Sequence, residues 1–361
     1  MKLFTCQRCG QGLYFENSVC GQCGALLGYL PALFQLSALE DAGDAGAFHP
    51  RADPQGRSWR FCANHVAGSC NWMLPPGQEQ ALCPACRLNR TIPDLSAPGN
   101  ATLWGRLEQA KHRLVYGLMR LGLPITDRQT APETGLAFDF LDRDAPNPHG
   151  QGPILTGHAD GVITIVLSEA DNALREENRQ NMGETYRTLL GHFRHESGHY
   201  YWDRLVRDRG RLDDFRAMFG DETRDYAAAL DSHYRDGPSG DWQSRFVSAY
   251  ASAHPWEDFA ESWAHYLHII DTLETAESFG IRSAPAATDD PAMAARVDFD
   301  PYGTEPWQDI LDAWFPLTLA VNELNRSMGQ PDLYPFVLSA PATEKLRFIH
   351  TLIADNAIAA P

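Results

Sequence analysis

Two histidines four positions apart, with a glutamate behind the first, give His195-Glu196-Ser197-Gly198-His199 the clearest chemistry in this 361-residue chain. On an α-helix, positions i and i+4 stand one above the other, so both imidazoles reach one ion. Glu196 then lies about 100° round the helix from His195, beside the metal rather than on it. From there its carboxylate can take a proton from a water that the metal has acidified. A catalytic zinc needs a third protein ligand and an open position. The segment 250–261, YASAHPWEDFAE, supplies the best candidate. Pro255 can start a helix on which Glu257 and Glu261 lie one turn apart. Glu257 is expected to ligate, and Glu261 to accept a hydrogen bond from the far nitrogen of a ligand histidine. Tyr250 can aim its hydroxyl at the oxyanion of a tetrahedral intermediate.

Other residues compete for these roles. Asp221 and Glu222 are alternative third ligands, although no partner carboxylate stands at helical spacing from them. Asp203, four residues after His199, either orients the motif or makes a solvent-facing salt bridge. His254, His265 and His268 flank the Glu257 helix, and a lone histidine of that kind reads as structural. Tyr200, Tyr201 and Trp202 read as packing for the active-site helix.

All eight cysteines fall in the first quarter of the chain. Cys6-x-x-Cys9 is followed ten residues later by Cys20-x-x-Cys23, with Gly10 and Gly24 after the pairs. Tight turns of this kind aim backbone amides at thiolates, and two of them complete a tetrahedral zinc site. So small a segment holds little apolar material, and the metal supplies its folding energy. Cys62, Cys70, Cys83 and Cys86 form a looser set, read as a second structural zinc. His65 could replace Cys62 or Cys70 there.

HESGH followed by Y-x6-E-x-F-A-E resembles the gluzincin pattern, and over that stretch is similar to the catalytic domain of anthrax lethal factor. The resemblance implies that Glu257 is the third zinc ligand and that Tyr250 assists catalysis. Over nearly its whole length the chain also resembles a bacterial family of zinc-binding metallopeptidases with an N-terminal zinc ribbon. CNW (Cys70–Trp72), RHESGHYYW (Arg194–Trp202), HPWEDFAE (His254–Glu261) and the RSMG and DLYPF motifs (Arg326–Phe336) carry that likeness.

The elements that must position these groups follow from pattern. Residues 91–102 read as a linker and 103–122 as a helix. Leu136–Leu141 and Gly161–Leu167 read as strands, the second expected to edge a cleft where an extended peptide could pair. A loop rich in Pro, Asn, Asp and Gly separates them. Asp171 can cap a helix, and a longer helix is expected over Glu184–Val206. Further helices are expected over 211–234, 243–251, 256–275, 306–328 and 342–355. Strands followed by many helices indicate an α+β fold. It divides into a zinc-ribbon region over 1–95 and a zincin-like metallopeptidase domain over 96–361.

Thirty Lys and Arg against 47 Asp and Glu leave a net charge of −17. That argues against nucleic acid and anionic membranes as partners, because both need a positive field. No apolar run reaches the roughly 18 residues of a membrane span, and the N-terminus lacks a signal-peptide core. A cytoplasmic zinc peptidase acting on a peptide or protein is therefore expected, with a possible protein partner for the ribbons. The rivals are a non-catalytic zinc-binding adaptor and a zinc hydrolase of a non-peptide amide. The intact Glu196 favours an enzyme, since a structural zinc site has no use for it. The ligand sets predict about three zinc ions per chain, one catalytic and two structural. Elemental analysis of protein purified without added metal checks this. A value near one removes the cysteine sites, and a value near two removes the Cys62 set.

Overall fold

A computed structural model describes residues 2–44, 46–143, 154–181, 188–303 and 305–357. Its described residues pack into two compact units, one drawn from positions up to 118 and from 125 to 175, the other from 119–124 and from 176 onward.

In the first unit, β1 (Phe4–Thr5) pairs antiparallel with β2 (Gly12–Leu13), and the turn between them carries Cys6 and Cys9. A five-stranded antiparallel sheet follows, built in sequence order from β3 (Leu27–Leu30), β4 (Gln35–Asp41), β5 (Ala47–Pro50), β6 (Trp59–Phe61) and β7 (Met73–Leu74). Leu30, Trp59 and Met73 form its buried core. Next come β8 (Asn89–Thr91) and α1 (Asn100–Arg120). Helix α1 meets the ribbon through Tyr116, whose ring lies 5.5 Å from that of Phe15, itself 4.8 Å from Tyr29. Such edge-to-face contacts add to plain area burial.

Strands β9 (Ala137–Leu141), β10 (Gly157–Ala159) and β11 (Val162–Val166) join β8 in a second sheet, ordered β10-β11-β9-β8. Every residue of β9 and β11 is buried. Apart from Thr164 and Asp139, which pairs with Arg90, both strands are apolar, as inner strands covered on both faces are. This corrects one expectation: β11 is no edge strand. It pairs antiparallel with β10 and parallel with β9, so its ladder bonds are already spent. The loop expected before β10 lies largely outside the described residues. Asp171 caps as expected, accepting from the Ala173 amide at 2.8 Å at the head of α2 (Asn172–Asn181).

The second unit is helical. Helix α3 (Leu189–Tyr201) runs into a π-helical turn, Trp202–Arg207, and residues 184–187 of the expected longer helix lie outside the described residues. The helix expected over 211–234 is two, α4 (Leu212–Phe219) and α5 (Tyr226–Asp236). They are separated at Gly220, whose φ of 103° no helix accommodates. Two further helices, α7 (Trp307–Ser327) and α8 (Ala340–Asn356), pack on α6 (Pro255–Phe279), and the short strand pair β12 (Arg282–Ser283) and β13 (Ala295–Arg296) packs on α7. The helix expected over 243–251 is absent; the chain makes short 3-10 turns at Trp242–Ser244 and Tyr250–Ser252. Val247 and Ala251 pack there against Ala342 of α8, and Lys345 donates to the Arg245 carbonyl at 2.9 Å. The same ammonium lies 2.6 Å from Asp258, whose carboxyl burial pushes up to about 7 against that pull.

Helices α3 and α6 make the central contact. A Cβ on Gly198 would lie 2.9 Å from Ala260 Cα and 3.1 Å from Trp263 Cβ, so only glycine permits this approach. Ring stacking of Tyr201 on Trp263, at 4.9 Å, extends the seam. Gly198→Ala should lower unfolding stability by about 1–3 kcal/mol, as overpacking does. Denaturant unfolding of metal-loaded protein measures it, and a change under about 0.5 kcal/mol would mean that the helices separate freely.

Candidate functional site

Helix α3 is fixed in rotation before any metal is considered. Thr188 caps it, accepting from the Gly191 amide at 3.0 Å. Arg194 reaches across to α6, 2.5 Å from Asp271 and 2.5 Å from His268 Nδ1. Ser197 donates to the Arg194 carbonyl at 2.7 Å and accepts from Trp263 Nε1 at 3.1 Å. With those residues held on the buried side, His195 and His199 turn together toward the first turn of α6. That turn begins at His254, whose Nδ1 accepts from the Trp256 amide at 3.1 Å while Nε2 donates to the Arg224 carbonyl at 3.2 Å. Pro255 occupies the first turn, where its missing N–H costs nothing. Glu257 follows in the same turn, where the helix dipole favours a carboxylate.

Across the seam, His195 Nε2 lies 3.0 Å from Glu257 Oε2, and His199 Nε2 lies 3.5 Å from Glu257 Oε1. These three residues offer ligand atoms that all fall within 4.8 Å of one another. His195 Nδ1 is 2.7 Å from Glu261 Oε1, and Ser248 donates to Glu261 Oε2 at 2.6 Å. Burial opposes charge on His195, but its bonds to Glu257 and Glu261 outweigh that and hold its pKa well above the ordinary imidazole value. Burial likewise works against ionised Glu257, and the two histidines overcome it, holding its carboxyl well below the usual range. The pattern fits a cation. With Nδ1 of His195 committed to Glu261, a neutral imidazole would aim its Nε2 lone pair at a carboxylate. A divalent ion held by His195, His199 and Glu257 would turn that repulsion into coordination.

Three side chains around the centre carry no signal in the sequence. Tyr226, on α5, donates to Glu257 Oε1 at 2.6 Å from 31 positions upstream. Ser248 stands 13 positions before Glu261, a spacing without periodic meaning. The Trp256 ring lies 4.0 Å from that of His199 and walls it in. Tyr250 stands near the centre, its ring 5.9 Å from that of His195. Burial, reinforced by the Glu257 charge, raises the phenol pKa of both Tyr226 and Tyr250 and keeps each a hydrogen-bond donor. A groove of about 630 Å³ runs along α5, lined by Ala229, Ser232, His233, Ser252 and Ala253 among others. His233 brings it toward the centre, its ring 5.9 Å from that of Tyr250.

The competing residues are engaged elsewhere. Glu222 pairs with Arg216, and Asp221 accepts from the Thr223 hydroxyl at 2.6 Å. Asp203 pairs with Arg207 at 2.6 Å. His265 meets the Tyr334 hydroxyl at 2.6 Å, and burial lowers its pKa to about 4. Tyr200, Tyr201 and Trp202 are buried.

Both cysteine sets converge, and all eight cysteines are free thiols. A tetrahedral zinc with sulfur at about 2.3 Å sets its S···S edges at about 3.8 Å. Cys6–Cys23 and Cys9–Cys20 are each 3.7 Å apart, and Cys70–Cys83 3.8 Å. Backbone amides of Cys23 and Gln22 draw the Cys20 thiol down to about 6. His65 stands apart from the second set: its Nδ1 meets the Cys70 carbonyl at 3.0 Å and its ring stacks on Phe61 at 3.7 Å.

Comparison with known proteins gives two family matches. A family model described as "Putative zinc-binding metallo-peptidase" matches residues 100–352, and one described as "zinc-ribbon domain" matches residues 3–97. Proteins of Mycobacterium tuberculosis and Mycobacterium bovis, each named only as uncharacterized, are 44% identical over 358 residues, covering 99% of this chain and 96% of theirs. No solved structure matches. The hydrogen bonds behind the three converging residues lead to one prediction. Tyr226→Phe and Glu261→Gln should each weaken metal binding at His195, His199 and Glu257 by about 10–100-fold. Competition with a chromophoric chelator measures it, and unchanged affinity in both would make these bonds incidental.

Proposed function

The chain belongs to the family described as putative zinc-binding metallo-peptidases, and from that premise we propose that it is a zinc-dependent peptidase working at His195, His199 and Glu257. One observation carries the reading: two imidazole nitrogens and a buried carboxylate converge, with His195 oriented from behind by Glu261. Nitrogen and oxygen donors of this kind, three in number, suit a catalytic rather than a structural zinc. When bound, the ion supplies a Lewis acid that polarises the scissile carbonyl and acidifies water.

The chain's own residues do the rest. Glu196, next to a ligand but turned off the ligand face, takes the proton of the attacking water and passes it to the leaving amine. The half-buried phenol of Tyr250 donates to the developing oxyanion. Tyr226 holds one oxygen of Glu257 and Ser248 one oxygen of Glu261, so neither carboxylate is free to swing. The α5 groove falls within the roughly 300–1,000 Å³ of ordinary ligand sites and suits a peptide side chain. The two cysteine sets each hold a structural zinc, over a ribbon region of residues 1–95 ahead of the peptidase domain. Eight cysteines set as metal ligands rather than disulfides suit a reducing cytoplasm, and none of the described helices is long and apolar enough to cross a membrane.

The test is turnover of a proteome-derived peptide library, with and without chelator, for variants at matched zinc content. Glu196→Ala should keep its metal and lose nearly all hydrolysis. Tyr250→Phe should lose on the order of 10²–10³ in turnover while binding peptide nearly as well as the parent. Glu257→Ala should lose one metal per chain, whereas Asp221→Ala and Glu222→Ala should lose none. Equal turnover in Glu196→Ala and the parent protein would end the peptidase reading.

A further inference from the structure

The second cysteine set has a neighbour that its motif does not include. Three of its sulfurs receive backbone amides: Cys62 from Cys83 N at 3.3 Å, Cys70 from Trp72 N at 3.3 Å, and Cys83 from Cys86 N at 3.4 Å. Bonds of this kind stabilise thiolates. The Cys86 sulfur faces helix α1 instead, where it lies 3.7 Å from Glu108 Oε2, as a thiol donating to a carboxylate would. An anion at that distance disfavours a thiolate. Glu108 cannot turn away, because Lys111 Nζ and Asn89 Nδ2 hold its other oxygen at 2.6 and 3.0 Å. All of Cys86, Glu108 and Lys111 are fully buried.

His112, one turn after Glu108, is built as a metal ligand. Its Nδ1 lies 2.6 Å from the Glu108 carbonyl oxygen, which can only accept, so Nδ1 carries a proton. In the neutral ring Nε2 then points a lone pair into the cysteine pocket, 3.7 Å from Cys86 Sγ and 4.0 Å from Cys83 Sγ. Zinc–sulfur and zinc–nitrogen bonds of about 2.3 and 2.05 Å put a tetrahedral N···S edge at about 3.6 Å. His112 Nε2 therefore stands beside the place that Cys86 fills, and a little beyond coordination spacing from Cys83, with which it would share the ion. The Trp72 ring, 5.1 Å away and nearly perpendicular, fixes its plane. A ring nitrogen bonded to a backbone carbonyl, with the other facing the ion, is the usual arrangement of a ligating histidine.

We infer that His112 is a ligand of the second metal site, competing with Cys86 for the fourth position beside Cys62, Cys70 and Cys83. The pocket thus has five donors for four places. It can hold zinc with four thiolates, or with three thiolates and the imidazole, and it keeps its ion when Cys86 is alkylated or lost.

The inference rests on the Cys62 set being a metal site, and Cys83→Ser in the full chain tests that first. If Cys83→Ser holds as much zinc as the parent, it is the site reading that fails. Otherwise, Cys86→Ser should keep the parent's zinc content, while Cys86→Ser combined with His112→Ala should hold one ion fewer. In a folded chain that keeps all its cysteines, His112→Gln should change the cobalt-substituted absorption spectrum, with stronger thiolate-to-cobalt charge transfer as Cys86 takes the vacated place. Loss of zinc in Cys86→Ser together with an unchanged cobalt spectrum in His112→Gln overturns the inference. So does retention of zinc by the double variant.

Discussion

The close approach of α3 and α6 is the constraint on which the candidate centre depends. Gly198 lets the backbones meet at Ala260, and only at that separation do imidazoles on one helix reach carboxylates on the other. The two inner positions of the HExxH motif are thus occupied for packing reasons. Ser197 anchors Trp263 and Gly198 admits Ala260, while the outer positions hold the two histidines that converge on Glu257. Arg194, on the same buried face, ties the helix to Asp271 further along α6. Rotation and distance are set together, by residues outside the converging set of His195, His199 and Glu257.

Charge is managed differently at the metal-ligand sets. At the histidine centre two carboxylates face two imidazoles, and His195 bonds to both of them. At the cysteine sets, thiols at tetrahedral edge lengths need deprotonating and neutralising at once. Backbone amides do part of this work. The second set draws on a helix outside its motif as well, through Glu108, Lys111 and His112. Buried ionic groups of this kind are costly unless each has its partner.

What could be read in the sequence was what short-range spacing encodes. Histidines at i and i+4, carboxylates one turn apart after a proline, and paired CxxC turns each fix a local geometry. Those side chains do meet in space. Helices α1, α6, α7 and α8 were legible because long apolar stripes outvote local noise. Tyr226, Ser248 and His112 were not, since each reaches its partner from another element and no period links them. The irregular stretch 243–251 failed for a related reason. Its composition suits a helix, but it packs on α8 and gives a backbone carbonyl to Lys345, so tertiary demands override propensity. Strand β11 was recognised as a strand and misjudged as an edge. A buried apolar run does not say how many neighbours it has.

The π-helical turn at Trp202–Arg207 sits directly behind the histidine motif. Such a turn accommodates one residue more than an α-helical turn. It is in effect an insertion absorbed without breaking the helix, a local slack in the register between His199 and everything downstream. Removing one residue there would restore an ordinary α-helix and swing the following chain by about 100°. Homologous chains of different length over this segment would then share the upstream motif intact while presenting a different wall opposite it. Length variation just after the motif, rather than substitution within it, is thus an economical route by which such proteins could diverge in what they admit.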